Sequence, residues 1–203
     1  MGPIAFSAQY QQTPIPSGGT IIKKKWLKSY ETINNQRGDR IIMSWDIALS
    51  EAGTGDYSVG VVMQARKEIV NILEVIRGRF PFETLKRKII EVKQRYHAPT
   101  LLIEQSPISH GLIQSLREQS ISVTTYKPDA DKRARLIAQT DLIAAGSVRL
   151  PQRAEWLEGF VAELLAFPGG RHDDQVDALT QGLTWARRDW GRKLITKTLT
   201  GLC

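Results

Sequence analysis

Cysteine is nearly absent from this chain, since Cys203 is the only one among 203 residues. A lone cysteine excludes a disulfide framework and a cysteine-rich metal site, and it indicates a reducing, cytosolic environment. No apolar run reaches the ~18–20 residues of a membrane span. The N-terminus also lacks the charged start and apolar run of a signal peptide. We therefore expect a protein without membrane contact.

Histidine is scarce as well, and His97, His110 and His172 are spread along the chain. Zinc sites need cysteine or histidine ligands at short spacings, and the sequence has no such pattern. Arrangements of Ser/His/Asp or Cys/His for nucleophilic catalysis are also missing. We assign no function to His97 or His110, and we expect no protein nucleophile.

The net charge of +7 is concentrated at the two ends of the chain. Residues 1–30 carry +4 and residues 184–203 carry +4, whereas residues 31–183 carry −1. Cationic ends suit a polyanion such as nucleic acid, or an anionic lipid surface. They also occur for solubility and at domain junctions, so the charge alone leaves these alternatives open.

Composition divides the chain into three parts. Residues 1–38 contain prolines, a Gly-Gly pair and a lysine cluster without long periodicity, so we predict a lead-in or linker. Residues 39–190 carry the regular patterns of one domain. Residues 191–203 form a basic tail.

The domain begins with apolar runs that predict three strands, followed by alternating helices and strands. The first strands are "RIIMSWDIAL", "YSVGVVMQAR" and "EIVNILEVIR", with a tight hairpin at "RK". A helix over about 82–96, a strand at "TLLIEQ", a helix at "SHGLIQSLREQ" and a strand at "ISVTTYK" follow. The remaining elements are a helix at "DADKRARLIAQTDLIAAG", a strand at "SVRLP", a helix at "AEWLEGFVAELLAF" and a last helix over about 173–190.

This order predicts an α/β fold around a central mixed sheet of five or more strands, flanked by helices. The first three strands are expected to be antiparallel and the later ones parallel. Such an order resembles that of the RNase H-like fold, which by itself says nothing about function.

Acidic residues follow two of the predicted strands and open the last helix. Asp46 ends the first strand, Glu104 ends the fourth, and Asp173, Asp174 and Asp177 begin the helix. If the two strands are parallel neighbours, their acids emerge at one sheet edge, where ligand sites in such sheets are found. Asp174 and Asp177 are i, i+3 neighbours on one helix face, and Asp173 either competes for that role or caps the helix.

Each acid has a plainer alternative when it is taken alone. Asp46 suits a turn, and the aspartate cluster suits capping and the helix dipole, although Glu104 after three apolar residues is costly to bury without a partner. Together, converging carboxylates repel each other unless cations are bound. Mg²⁺ takes oxygen ligands, and two such ions ~3.5–4 Å apart can activate water for phosphodiester hydrolysis. The acids therefore predict a two-metal site.

Several stretches resemble the C-terminal nuclease domain of the large terminase subunit of tailed bacteriophages. "SWDIALSEAGTGDYS" is similar to the first acidic motif, "LLIEQSPISHGLIQSL" to the second, and "FPGGRHDDQVDALTQGL" to the third. "KRARLIAQTDLIAAGSVRLP" resembles the basic helix and strand between motifs. "AFSAQYQQTPIPSGGTIIKKKWLKSY" resembles the junction that follows the terminase ATPase domain. The resemblance covers nearly the whole chain.

The resemblance implies an endonuclease that cuts concatemeric viral DNA during genome packaging with two Mg²⁺ or Mn²⁺ ions. It implies Asp46, Glu104, Asp174 and Asp177 as the catalytic metal ligands, and it leaves Asp173 open. We expect Asp46 to be shared by both ions, Glu104 to bind one, and Asp174 with Asp177 to bind the other.

The family also implies partners and a location. Double-stranded DNA, the terminase ATPase domain, the small terminase subunit and the portal protein are the expected partners, in the cytoplasm of an infected bacterial host. The motor motif G-x-x-x-x-G-K-[ST] is absent from this sequence. We therefore expect either an excised nuclease domain or a chain that lacks its motor.

Basic residues beside the predicted site fit a DNA track. Lys132, Arg133 and Arg135 open a helix and are predicted to contact backbone phosphates, with a solvated helix face as the alternative. His172 is predicted to position the aspartate cluster or the scissile phosphate, with Asp173 in a supporting role. Rival interpretations are a Holliday-junction resolvase, a transposase, or a catalytically silent DNA-binding or docking module.

Overall fold

Apolar runs build a seven-stranded mixed sheet with helices on both faces. The structure is a computed structural model that describes residues 20–34, 36–49 and 55–188. Its strands are β1 (Lys28–Tyr30), β2 (Arg40–Asp46), β3 (Ser58–Arg66), β4 (Ile69–Gly78), β5 (Thr100–Glu104), β6 (Thr124–Tyr126) and β7 (Val148–Pro151). Its helices are α1 (Phe82–Arg95), α2 (Pro107–Glu118), α3 (Lys132–Ile137), α4 (Thr140–Ala144), α5 (Leu157–Ala166) and α6 (Asp174–Arg187), preceded by a 3-10 turn at Lys24–Trp26.

The sheet has the strand order β1-β7-β4-β3-β2-β5-β6. Strands β2, β3 and β4 form an antiparallel meander, whereas β5, β6, β7 and β1 join parallel neighbours. The hairpin between β3 and β4 turns at Lys67 and Glu68, where Lys67 has a φ of +49°. The mixed sheet and the hairpin confirm the predicted fold class.

The two faces of the sheet bury separate apolar clusters, as expected for strands that alternate their side chains. Helices α3 to α6 cover one face, and Phe160, Val176 and Leu179 belong to this cluster. Helices α1 and α2 cover the other face, where Trp45 and Leu85 are fully buried. In the described part of the chain, helices therefore cover each sheet face, which leaves the sheet edges and strand ends for a site.

One predicted helix is wrong in its extent, because residues 129–146 form α3 and α4 instead of a single helix. The chain bends at Ala138 and Gln139, which bond to α6. The Ala138 carbonyl accepts a hydrogen bond from Arg187 Nη1 at 2.8 Å, and Gln139 Nε2 donates to Thr184 Oγ1 at 3.2 Å. Tertiary contacts with α6 thus override the local helical pattern.

Strand β1 is absent from the sequence prediction, since three residues of mixed polarity carry no alternation. It lies within the segment 1–38 whose composition predicts a lead-in, yet Lys28 pairs with Arg149 of β7, and Ile22 is fully buried. The folded body therefore includes residues before position 39. The predicted tail 191–203 and the last residues of the predicted final helix lie outside the described residues. Among the described helices, none is long and apolar enough to cross a membrane.

Gly60 allows a test of the packing between β2 and β3. It pairs with Trp45, whose indole is fully buried, and a Cβ atom at position 60 would lie 2.5 Å from Trp45 Cε2. We expect Gly60→Ala to lower the free energy of unfolding by about 3 kcal/mol, because neither the ring nor the paired strand has room to move. Urea unfolding measures this change.

Gly159→Ala in α5 is the matched control, because the added Cβ would have no neighbour within 4 Å other than the adjoining residues and backbone of its own helix. Alanine favours a helix over glycine, so we expect this variant to be unchanged or more stable by up to about 1 kcal/mol. Equal unfolding free energies for the two variants would contradict the packing described here.

Candidate active site

Asp46 and Glu104 meet at one sheet edge because β2 and β5 are parallel neighbours. The register pairs Trp45 with Ile103, and the next residue on each strand is the acid. Strand alternation places both acids on the sheet face that α6 covers. The predicted arrangement of these two strands is therefore confirmed.

Helix α6 brings its own acids to the same edge. Gly182 lets the helix lie close to the sheet, since a Cβ atom there would fall 2.2 Å from Met63 Cε. The acids of its first turn are Asp174 and Asp177, and Asp177 is 3% exposed. A glycine in the middle of α6 thus fixes how deeply the start of the helix approaches Asp46.

Burial and like charge shift the ionisation of the strand acids. Burial, followed by the charges of Asp177 and Glu104, raises the pKa of Asp46 to about 7. Burial also raises the pKa of Glu104, against the opposing charge of Arg135. Buried carboxyl groups whose pKa values are raised by one another's charge indicate a site that is short of positive charge.

Asp174 presents an oxygen that the fold does not satisfy. Its Oδ2 atom is buried and has no hydrogen-bond partner among the described residues. Burial, then the charges of Glu163 and Asp173, raise the pKa of Asp174. A buried acceptor without a partner is costly, so a bound cation would relieve both the lost hydrogen bond and the repulsion.

Two basic side chains of α3 lie among the acids. Lys132 Nζ is 2.7 Å from Asp173 Oδ1 and 2.6 Å from Asp177 Oδ2. Arg135 donates a hydrogen bond to Asp177 and lies 3.9 Å from Glu104 Oε2. Asp177 is therefore paired from two sides, whereas neither Asp46 nor Asp174 forms an ion pair within the part of the chain that the structure describes.

This arrangement corrects the prediction that Arg135 contacts DNA. Its side chain is 7% exposed and is held by Asp177, so it acts as a buried counter-ion. Lys132 and Arg135 are i, i+3 neighbours and share the face of α3 that meets α6, whereas Arg133 is exposed. Phosphate contact stays a prediction for Arg133 and for Lys132, whose side chain is 47% exposed.

Asp173 and His172 lie at the border of the acid cluster. Asp173 occupies the N-cap position of α6, but its side chain makes no capping hydrogen bond and pairs with Lys132 instead. His172 packs edge-on against Tyr57, with ring centroids 5.4 Å apart. The structure thus places His172 beside the acids, next to an aromatic ring.

The carboxylates at this sheet edge are the candidate donors for a metal ion. Within residues 20–34, 36–49 and 55–188, no three acidic, histidine or cysteine side chains converge closely enough to hold one. Lys132 and Arg135 bridge the acids in this arrangement. The residues still fit a hard divalent cation, since all donors are carboxylate oxygens and Asp174 Oδ2 lacks a partner among the described residues.

Sequence comparison identifies the family of this fold and site. A family model described as the terminase RNase H-like domain matches residues 43–184. The chain belongs to this terminase family. No curated protein sequence matches it at a significant level.

Solved terminase structures share the fold of this terminase domain. The large terminase nuclease from thermophilic phage G20c with bound magnesium has a TM-score of 0.64 at 16% identity, covering 83% of this chain and 98% of that chain. The P22 large terminase nuclease domain has a TM-score of 0.62 at 15% identity, covering 84% and 93%. A longer large terminase from another thermophilic bacteriophage has a TM-score of 0.61 at 10% identity, covering 81% and 43%. At these identities the likeness shows a common RNase H-like fold.

Sequence reasoning missed Glu163 of the terminase domain. This buried acid of α5 accepts hydrogen bonds from Gln175 N at 2.7 Å and from Gln175 Nε2 at 2.6 Å. Glu163 thereby accepts a backbone N–H of the first turn of α6, where the side chain of Asp173 makes no capping hydrogen bond. The available signal was a glutamate inside the apolar stretch "FVAELLAF", where an acid needs a partner.

Proposed function

We propose that this terminase domain is a divalent-metal-dependent endonuclease that cleaves double-stranded viral DNA concatemers during genome packaging. The observation that supports the proposal is that Asp46 and Glu104 end neighbouring parallel strands, where burial and the charges of Asp177 and Glu104 raise the pKa of Asp46 to about 7. Solved nucleases of the same fold, from the phage G20c large terminase, hold magnesium, zinc or cobalt, which supports a divalent cation.

Mg²⁺ or Mn²⁺ suits a donor set made of carboxylates, and we propose that two ions bind. Asp46 would be shared by both, Glu104 would hold one, and Asp174 with Asp177 would hold the other. When bound, such ions lower the pKa of water and stabilise charge on the leaving oxygen of a phosphodiester. Asp173 supports the site through its ion pair with Lys132.

The basic side chains of α3 would position the acids and bind the phosphates of the DNA. Arg135 fixes the position of Asp177 and lies close to Glu104, so it sets the distance between two proposed ligands. With a divalent cation held by Asp177, the exposed ammonium of Lys132 would contact a DNA phosphate in place of that carboxylate. Arg133 supplies a second phosphate contact without sequence readout.

Membership of the terminase family supports partners in the packaging machinery. We propose that the domain acts on double-stranded DNA together with the terminase ATPase domain, the small terminase subunit and the portal protein, in the cytoplasm of the infected bacterium. The match to only 43% of a longer phage large terminase supports a place within a larger terminase polypeptide.

The proposal is tested with the chain and supercoiled plasmid DNA. We expect nicking and linearisation in Mg²⁺ or Mn²⁺, and no cleavage when EDTA removes the ions. The rate on linear duplex DNA is then compared with the rate on a four-way junction of equal length. A strong junction preference would contradict the terminase function and favour a resolvase. DNA binding without cleavage in either ion would favour a silent docking module.

A further inference from the structure

A second cluster of side chains lies beside the acids, and the reaction proposed above uses none of them. It consists of Tyr57, which precedes β3, of Arg77 at the end of β4, of Arg79 just beyond it, and of His172, which precedes α6. We name these four residues the arginine–tyrosine cluster. Arg77 and Arg79 are exposed, whereas Tyr57 and His172 are half-buried.

The sheet register fixes where this cluster lies relative to the acids. Asp46 pairs with Val59, and Val59 pairs with Arg77, so these three residues form one cross-strand row. Directly paired residues point to the same face of a sheet, and neighbouring strands are ~4.8 Å apart. Arg77 is therefore on the same face as Asp46, about 10 Å away across the sheet edge.

Aromatic contacts hold both guanidinium groups in place. Arg77 Cζ lies 3.8 Å and Arg79 Cζ 4.2 Å from the centre of the Tyr57 ring. Tyr57 in turn packs edge-on against His172. Arg79 Nε also donates a hydrogen bond to the Gly55 carbonyl at 2.6 Å. Planar guanidinium groups that stack on a ring keep their outer N–H groups free for a planar acceptor.

The four residues of the cluster carry two positive charges and no acid, and the charge of Arg77 also acts on Asp174. The ion pair of Arg77 with Glu163 is long, at 3.9 Å, and Glu163 already accepts two hydrogen bonds from Gln175. Arg79 has no ion pair with any residue that the structure describes. Two guanidinium groups against one ring repel each other, and an anion that both can bind would remove that repulsion.

We propose that Arg77 and Arg79, positioned by Tyr57, bind a backbone phosphate of the DNA strand that is cleaved at the acids. This inference rests on the proposed nuclease function. A distance of about 10 Å corresponds to roughly three nucleotides at ~3.4 Å of axial rise each. Helix α3, which carries Lys132 and Arg133, approaches Glu104 of β5 through Arg135, whereas Arg77 is on β4, so the proposed phosphate contacts lie on both sides of Asp46. The cleaved DNA strand would then cross the edge of the sheet from α3 to β4.

Binding to a fluorescein-labelled duplex in EDTA tests the proposal without cleavage. We expect Arg77→Ala/Arg79→Ala to weaken binding about tenfold or more, since charge-assisted hydrogen bonds are lost. The slope of log K against log salt should become smaller by roughly 1–2. Lys88→Ala/Arg95→Ala removes the same charge from α1 and is the control, for which we expect a much smaller loss.

Conservative variants distinguish specific phosphate binding by the guanidinium groups from non-specific attraction of DNA to positive charge. Arg77→Lys/Arg79→Lys keeps the charge but loses the planar fork, so we expect the salt slope of the wild type with a several-fold weaker affinity. Tyr57→Phe keeps the ring and should bind like the wild type. Thermal melts followed by circular dichroism check that each variant is folded. If the double alanine variant melts at a lower temperature than the wild type, the double lysine variant is used in its place.

The outcomes distinguish this inference from the nuclease function. If the double alanine variant binds as well as the α1 control, or if the lysine variant equals the wild type, the phosphate site is overturned even when cleavage proceeds. If the wild type never cleaves but the arginine variants still lose affinity and salt slope, the nuclease function fails while the phosphate site stands.

Discussion

Asp46→Asn is expected to slow metal-dependent DNA cleavage by more than about 100-fold. Loss of a group that merely supports a metal ligand costs roughly 10–100-fold, and Asp46 is proposed to bind both ions directly. Asparagine keeps the size of the side chain and removes its charge, so the fold is retained. Glu74→Gln on β4 is the control, because this acid pairs with Arg95 and lies away from the site. We expect the control to nick plasmid DNA at the wild-type rate.

The same substitution is expected to stabilise the metal-free protein by about 2–4 kcal/mol at pH 8. The pKa of Asp46 in the folded protein is about 7, whereas an aspartate in an unfolded chain titrates near ~4. Between these values the folded state binds more protons, so its stability falls as the pH rises. The penalty is complete above about pH 7 and absent below about pH 4, and asparagine removes it.

Urea unfolding in EDTA at about pH 5 and about pH 8 checks this linkage. The stability advantage of Asp46→Asn over the wild type should be larger at the higher pH. An advantage of the same size at both values would mean that the side chain carries no charge penalty in the fold. A variant that still cleaves DNA would remove Asp46 from the proposed metal ligands.

The strands that position the site could be predicted from the sequence because their signals are local. Asp46 and Glu104 each end an apolar run, and parallel pairing of such runs leaves few alternatives for where the acids lie. The β3–β4 hairpin was also evident from two β-rich runs with a short polar connection. These elements can be predicted because the pattern of apolar residues, and the polar residues that end each run, are local features of the sequence.

Features that depend on tertiary contacts could not be predicted in the same way. The break between α3 and α4 and the burial of Arg135 both arise from packing against α6, which no local pattern reports. Lys132, Arg133 and Arg135 look alike in sequence, yet i, i+3 spacing turns two of them toward the acids. Glu163 carried a weak signal, an acid in an apolar run, but its partner Gln175 lies on another helix.

Asp177→Asn is expected to have the opposite effect on stability, lowering the free energy of unfolding by about 3 kcal/mol. Asp177 and Arg135 are both buried, with side chains 3% and 7% exposed. Loss of the carboxylate leaves the guanidinium buried, and among the described residues only Glu104, at 3.9 Å, then remains as a counter-charge. A buried charge without its partner costs more than a neutral pair of similar size.

A double-mutant cycle with Arg135→Met isolates this ion pair. We expect each single variant to be destabilised and the double variant to lose less than the sum, with a coupling of roughly 1–3 kcal/mol. Cleavage falls in either case if Asp177 also binds metal, so activity alone does not separate the two roles. The free energy of unfolding does separate them. The charge of Asp46 destabilises the metal-free fold, whereas the carboxylate of Asp177 stabilises it through Arg135. If Asp177→Asn instead stabilised the metal-free protein, as Asp46→Asn is expected to do, Asp177 would belong with the uncompensated acids and Arg135 would not be its essential partner.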